Sequence, residues 1–172
     1  FVDNYLDGGY HVPYLHEGLG SVLDYHKYTI ENGRRHCLQS SPMVTRGAEA
    51  ATGAVRKGER AMYYWFYPNF MFNWYEGVMD TNLVYPRGVD QTEVIFDFWF
   101  ADVCEAARAF NDASIDIANR VQDEDEGICR SVQRGLRSRA YDTGRLSVRR
   151  EAGEQLFHQL LYADLKAGAL RG

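Results

Sequence analysis

The chain has 172 residues, 45% of them hydrophobic and 25% charged, with a formal net charge of −5. That length suits one domain with a real core. The acidic balance, with no long basic run, argues against a nucleic-acid-binding surface or a polybasic membrane patch. No window approaches the roughly 18 apolar residues of a membrane span, and Asp3, Asn4 and Asp7 interrupt the opening apolar positions as no signal peptide would tolerate. The three cysteines, Cys37, Cys104 and Cys129, lie far apart without CxxC spacing. They favour reduced thiols and predict a cytoplasmic setting. The chain opens on Phe1 inside what reads as a structured motif, so we expect a fragment of a longer polypeptide, whose missing N-terminus leaves organellar targeting open.

Residues 3 to about 19 read as an irregular helix, with Gly8-Gly9 before His11 and Pro13 between His11 and His16. Residues 26–42 alternate as strands and turns do. The Ala- and Gly-rich stretch 45–60 has weak periodicity and reads as loop. Strands are expected at 61–67, 70–75, 81–85 and 92–100, rich in aromatic and β-branched residues and separated by Pro68-Asn69, Pro86-Arg87-Gly88 and Val89-Asp90. Connections this short indicate an antiparallel meander. Helical spacing returns with Val103, Ala107, Phe110, Ile117 and Val121, continues through Ile128, Val132 and Leu136, and resumes at Leu156, Phe157, Leu160, Leu161 and Leu165. Residues 139–150 read as a polar linker. The order of helix, strands and helices predicts an α+β domain.

His11 and His16 are five apart, roughly 140° around a regular helix, too far to address one ion. A distortion at Pro13 would bring the rings together. The acidic run Asp123-Glu124-Asp125-Glu126 suits the first turn of a helix beginning near Glu124. On such a helix Ile128, Cys129, Val132 and Leu136 define the inner face, and Asp125 lies at its centre. A lone carboxylate there is costly unless paired or metal-bound. Two imidazoles and one carboxylate are the set that holds a non-heme Fe(II) and leaves coordination positions open. His26, His36 and His158 stand alone, and there is no phosphate loop, nucleophile elbow or H-E-x-x-H motif.

Three segments resemble the catalytic domain of Rieske-type non-heme iron oxygenases, the ring-hydroxylating oxygenase α-subunit family, in its choline monooxygenase branch. They are residues 3–16 (DNYLDGGYHVPYLH), residues 67–73 (YPNFMFN) with Met79-Asp80-Thr81-Asn82, and Glu124-Asp125 through Cys129 to residues 132–136 (VQRGL). The resemblance implies iron ligation by His11, His16 and Asp125. It implies a helix-grip, START/Bet v 1-like fold in which an antiparallel sheet grips a long C-terminal helix. It also implies a Rieske [2Fe–2S] cluster in an N-terminal domain, for which this chain has no C-x-H or C-x-x-H pair. Residues 1–172 are thus expected to be the C-terminal iron-binding catalytic domain. Its partners would be O2, a small-molecule substrate, a reductase or ferredoxin donor and further copies of itself, in a trimer. Many family members carry an acidic residue three positions before the first ligand histidine, bridging to the neighbouring subunit's Rieske centre. Here that position is Gly8, and Asp7, with Asn4 nearby, is the expected substitute; a turn-capping role for Asp7 stands as the alternative.

The implied reaction is O2-dependent hydroxylation of a choline-like quaternary ammonium substrate. Tyr63, Tyr64, Trp65, Phe66, Tyr67, Phe70, Phe72, Trp74 and Tyr75 offer aromatic faces for such a cation, and strand alternation would turn about half of them inward. The alternatives are an aromatic-ring or other amine oxygenase, and a metal-free START-like domain that carries an apolar ligand.

Overall fold

The computed structural model describes residues 1–44 and 50–170. Helix α1 (Val2–Leu6), α2 (Val12–Leu15) and α3 (Glu17–Val22) lead into β1 (Thr29–Asn32) and β2 (His36–Pro42). After α4 (Ala50–Val55) come β3 (Arg60–Phe66), β4 (Phe70–Tyr75), β5 (Val78–Gly88) and β6 (Gln91–Phe100). Helix α5 (Arg108–Leu136) and α6 (Ala152–Ala169) close the chain. The strands form one six-stranded antiparallel sheet in sequence order, the meander that the short turns predict. With α5 laid across it, this is the expected α+β helix-grip architecture.

Alternation sets the two faces of the sheet. On β3, Ala61, Tyr63 and Trp65 are buried, while Tyr64 and Phe66 stack on the outer face with Phe72. Two apolar clusters fill the inner side. One joins Leu6, Cys37, Trp65 and Met71 to Leu156, Phe157 and Leu160 of α6. The other joins Val22, Leu23, Ala61, Tyr63 and Tyr75 to Val12 and Leu19. Trp65 and Leu6 are fully buried, and truncating either to Ala costs about 2–5 kcal/mol. Gly153 of α6 is fitted to this packing, since a Cβ there would stand 2.9 Å from Cys37 Sγ.

Several expectations change. Within the stretch read as loop, Ala50–Val55 is helical and Arg60 begins β3, while residues 45–49 lie outside the described ones. Pro86 does not end β5; the strand runs on to Gly88 through a register shift and turns at Val89-Asp90. That position is tolerable for a proline beside a bulge. The two expected helical segments are one 29-residue helix, α5. The acidic run therefore lies in mid-helix, so the favourable first-turn dipole does not account for it. Beyond Asp125 the helix emerges from the fold. Ile128, Val132 and Leu136, expected on the inner face, are 38%, 53% and 47% exposed. At about 1.5 Å per residue, α5 is roughly 43 Å long, well beyond the reach of the short strands β3 and β4.

A polar seam pins α6 to α1. His158, expected to stand alone, bonds Asp3 through Nε2 at 2.9 Å. Glu154 is half-buried beside them. Burial, with Asp3 and Glu151 nearby, pushes its carboxyl up to about 7, against the pull of His158. A carboxyl raised in the folded state costs nothing below its ordinary value and progressively more as pH rises toward the folded one. Glu154→Gln should therefore stabilise the protein at pH 8, by about 1 kcal/mol after discounting for solvent screening, and leave it unchanged at pH 4. Thermal melts of both proteins at the two pH values check this; an equal effect at both would contradict it.

Candidate metal centre and substrate cleft

The N-terminal segment folds as three short helices rather than one distorted one. The turn after α1 requires Gly8 and Gly9, with φ of 70° and 69°, the left-handed region that glycine enters freely. A Cβ on Gly8 would lie 2.1 Å from the Arg150 carbonyl oxygen. No acidic side chain fits at this position, and the nearest carboxylate accordingly belongs to Asp7. Pro13 sits in the first turn of α2, where a missing N–H is harmless. The break that reorients the chain falls at His16, between α2 and α3, with φ −108° and ψ 76°. His11 caps α2 from the other end, and the two rings meet edge to face with centroids 4.9 Å apart.

Both rings turn Nε2 toward Asp125 on α5. His16 Nε2 is 3.1 Å and His11 Nε2 3.7 Å from Asp125 Oδ1. One ligand atom from each residue lies within 4.8 Å of the other two. The opposite ring nitrogens are held by carboxylates. His11 Nδ1 is 2.7 Å from Asp7 Oδ2, and His16 Nδ1 is 2.5 Å from Glu124 Oε2. Against a metal at Nε2, such partners would hold the Nδ1 proton, orient the ring and raise its basicity. Asp7 also accepts the backbone N–H groups of Tyr10 and His11, so it caps the turn and orients the ring together. Asn4 Nδ2 donates to Asp125 Oδ1 at 2.7 Å. Burial of the His16 ring opposes its protonation, but hydrogen bonds and charge from Asp125 and Glu124 outweigh this and leave its pKa raised. Two imidazole Nε2 atoms and a buried carboxylate oxygen converging on one small volume make a donor set that fits a divalent transition metal.

The residues expected at the centre, His11, His16 and Asp125, are thus brought together, with Asn4 and Asp7 directly behind them. Glu124 is an addition. Its place at the side of the buried helical face was the available cue, but only the tertiary fold sets His16 against it. Asp3, Glu154 and His158 also gather within 4.8 Å of one another, on the exposed seam described above.

From this centre a cleft opens between α5 and the sheet, with about 820 Å³ of empty space including its mouth. A polar row crosses its floor in register: Gln39 on β2 opposite Tyr63, Tyr63 opposite Asn73, and Asn73 opposite Asp80. Tyr28 stacks on Tyr63 at 6.4 Å, and Tyr75 meets Tyr63 edge-on at 6.0 Å. Burial holds the hydroxyls of Tyr28, Tyr63 and Tyr75 above their ordinary pKa, so they act as neutral groups. Of the nine aromatics expected to supply faces, only Tyr63 and Tyr75 line the cleft, and Tyr5 and Tyr28 join them from outside that run.

The family model of the ring hydroxylating alpha subunit (catalytic domain) matches residues 1–166. Chloroplastic choline monooxygenase of Arabidopsis thaliana is 44% identical over 96% of this chain and 39% of its own length. That of Beta vulgaris is 36% identical over 96% and 36%. The chain spans under two fifths of these curated relatives. Among solved structures, the quaternary ammonium Rieske monooxygenase CntA with L-carnitine superimposes with a TM-score of 0.69 at 25% identity, over 93% of this chain and 43% of that one. The same protein with an inhibitor gives 0.73 at 24% identity, over 93% and 44%. The cytoplasmic expectation is corrected here, because the choline monooxygenases similar to this chain are chloroplastic by name. Cysteine usage separates oxidising from reducing compartments and cannot tell one reducing compartment from another.

Removing either carboxylate behind the histidines should loosen the centre without abolishing it. Asp7→Asn and Glu124→Gln are each expected to weaken divalent-metal affinity by about 10–100-fold. Competition titration against a chromogenic chelator measures this, and unchanged affinity in both variants would contradict the orienting roles.

Proposed function

The chain belongs to the ring-hydroxylating oxygenase α-subunit family as its catalytic domain, and from that premise we propose that it is the substrate-oxidising part of a mononuclear non-heme iron oxygenase acting on a small, choline-like quaternary ammonium compound. The observation that carries this reading is the convergence of His11 Nε2, His16 Nε2 and Asp125 at the base of a tyrosine-lined cleft. A metal-free binding module has no need of two imidazoles whose far nitrogens are both anchored by carboxylates. Iron held by His11, His16 and Asp125 would supply O2 activation, and a Rieske [2Fe–2S] cluster elsewhere in the full protein would supply the electrons.

The chain's own residues do the rest. With a metal on the two Nε2 atoms, Asp7 and Glu124 would hold the protons on His11 Nδ1 and His16 Nδ1, which they face at 2.7 and 2.5 Å. Asn4 keeps Asp125 in place. Phe1, Leu19, Phe96 and Val121 give the cleft apolar walls that exclude water. The faces of Tyr28 and Tyr63 attract a quaternary ammonium group at about 0.5–2 kcal/mol per good contact. Asp7, with its side chain 14% exposed, links the His11 ring to the outer surface. That is where electrons from a neighbouring subunit's cluster would enter, in a homo-oligomer, with a trimer as the arrangement proposed and a reductase or ferredoxin as donor.

In the intact protein, which would carry the two irons of a Rieske cluster besides the mononuclear one, about three irons are expected per chain, and His11→Ala or Asp125→Ala should each lose the mononuclear one and keep the cluster pair, as iron and acid-labile sulfide analysis will read. With an electron donor, turnover is expected on choline, glycine betaine or carnitine and not on arenes. An iron-to-sulfide ratio unchanged from wild type in both variants would overturn the ligand assignment. Turnover of arenes alone would overturn the substrate class and leave the oxygenase standing.

A further inference from the structure

The cleft holds two opposite charges that the chain keeps apart. Arg56, which follows α4, is 5% exposed, and Asp80 on β5 is 4% exposed; both line the cleft. The Arg56 guanidinium donates to Ser114 Oγ at 2.5 Å and to the Ser114 carbonyl at 3.3 Å. It also lies 4.8 Å from the centroid of the Tyr75 ring. All these partners are neutral, and among the described residues no carboxylate comes within ion-pair reach of Arg56. Asp80 accepts from Asn73 at 2.7 Å and Asn82 at 3.2 Å, both through Oδ2. Its Oδ1 has no donor among the described residues, and no cation pairs with it. Burial pushes the Asp80 carboxyl above its ordinary pKa, more than Asn73, Arg56 and Asn82 pull it down.

Buried charges are ordinarily paired or ligand-bound. Here the fold builds a cation and an anion into one water-poor cleft, hydrogen-bonds each with neutral groups, and does not join them. We propose that Arg56 and Asp80 are the two poles of a zwitterion-selective cleft. Its substrate is a small quaternary-ammonium acid, with the carboxylate on Arg56 and the ammonium against Asp80 and the faces of Tyr28 and Tyr63. The inference rests on the quaternary-ammonium reading and narrows it. Choline supplies the cation and leaves Arg56 without an anion. An aromatic acid supplies the anion and leaves Asp80 without a cation. Only a molecule carrying both charges compensates both poles.

Calorimetric titration of glycine betaine, L-carnitine and choline into the intact, iron-loaded protein tests this without turnover. Both zwitterions are expected to bind at least about 10-fold more tightly than choline, the scale of one charge-assisted hydrogen-bonded pair. Arg56→Gln should collapse that ratio toward one, and Asp80→Asn should weaken all three ligands. Because Arg56 also anchors Ser114, Arg56→Lys serves as the charge-retaining control and should keep a preference for the zwitterions. Choline binding to the wild-type protein as tightly as the zwitterions, or an Arg56→Gln ratio equal to wild type, would overturn the selectivity and leave the quaternary-ammonium reading intact. Failure of all three to bind an iron-replete protein would overturn both.

Discussion

A carboxylate on the buried face of a long helix is the constraint on which the site depends. Asp125 is 7% exposed, and an uncompensated charge there would cost several kcal/mol. Among the described residues its compensation comes from the other end of the chain: Asn4, His11 and His16 reach it across more than a hundred residues of sequence. The contact that makes Asp125 tolerable is therefore the contact that closes the N-terminal helices onto α5. Fold and donor set arise from the same interaction, and a divalent cation placed among these atoms would strengthen it.

Behind that first ring of contacts stands a second one. Asp7 and Glu124 hold the outer nitrogens of the two rings, and the Gly8-Gly9 turn lets Asp7 do so from one residue earlier than Gly8, whose own position is closed by the Arg150 carbonyl. The sheet contributes differently. Most of its inner face is apolar, as a buried face should be, but one register row carries Gln39, Tyr63, Asn73 and Asp80. Gln39 Oε1 is buried there without a donor among the described residues. The row also ties α1 to the sheet, since Gln39 Nε2 donates to the Tyr5 carbonyl and the Tyr5 hydroxyl donates to Asn73 Oδ1.

Much of this was legible in the sequence. Period-two alternation and short turns gave the meander, because a strand exposed on one face repeats its burial every second residue. Helical phase placed Asp125 correctly even though the helix begins at Arg108 rather than near Glu124, since phase depends on spacing and not on where a helix starts. The same reasoning misplaced Ile128, Val132 and Leu136, for phase says which side faces inward but not how far the partner surface extends. Pro13 reads as a kink in the sequence because its position at the start of a new helix depends on the break at His16. The pairing of His158 with Asp3 and of Glu124 with His16, and the seating of Arg56 on neutral Ser114 and Tyr75, are invisible in the sequence, since each is decided by tertiary neighbours far away in the chain.

The most direct test of the central claim is diffraction from the iron-loaded intact protein at wavelengths on either side of the iron absorption edge. The account predicts a single anomalous peak in this domain, bounded by His11 Nε2, His16 Nε2 and a carboxylate oxygen of Asp125. No peak at that point in iron-replete crystals, or one seated at Asp3, Glu154 and His158 instead, would contradict it.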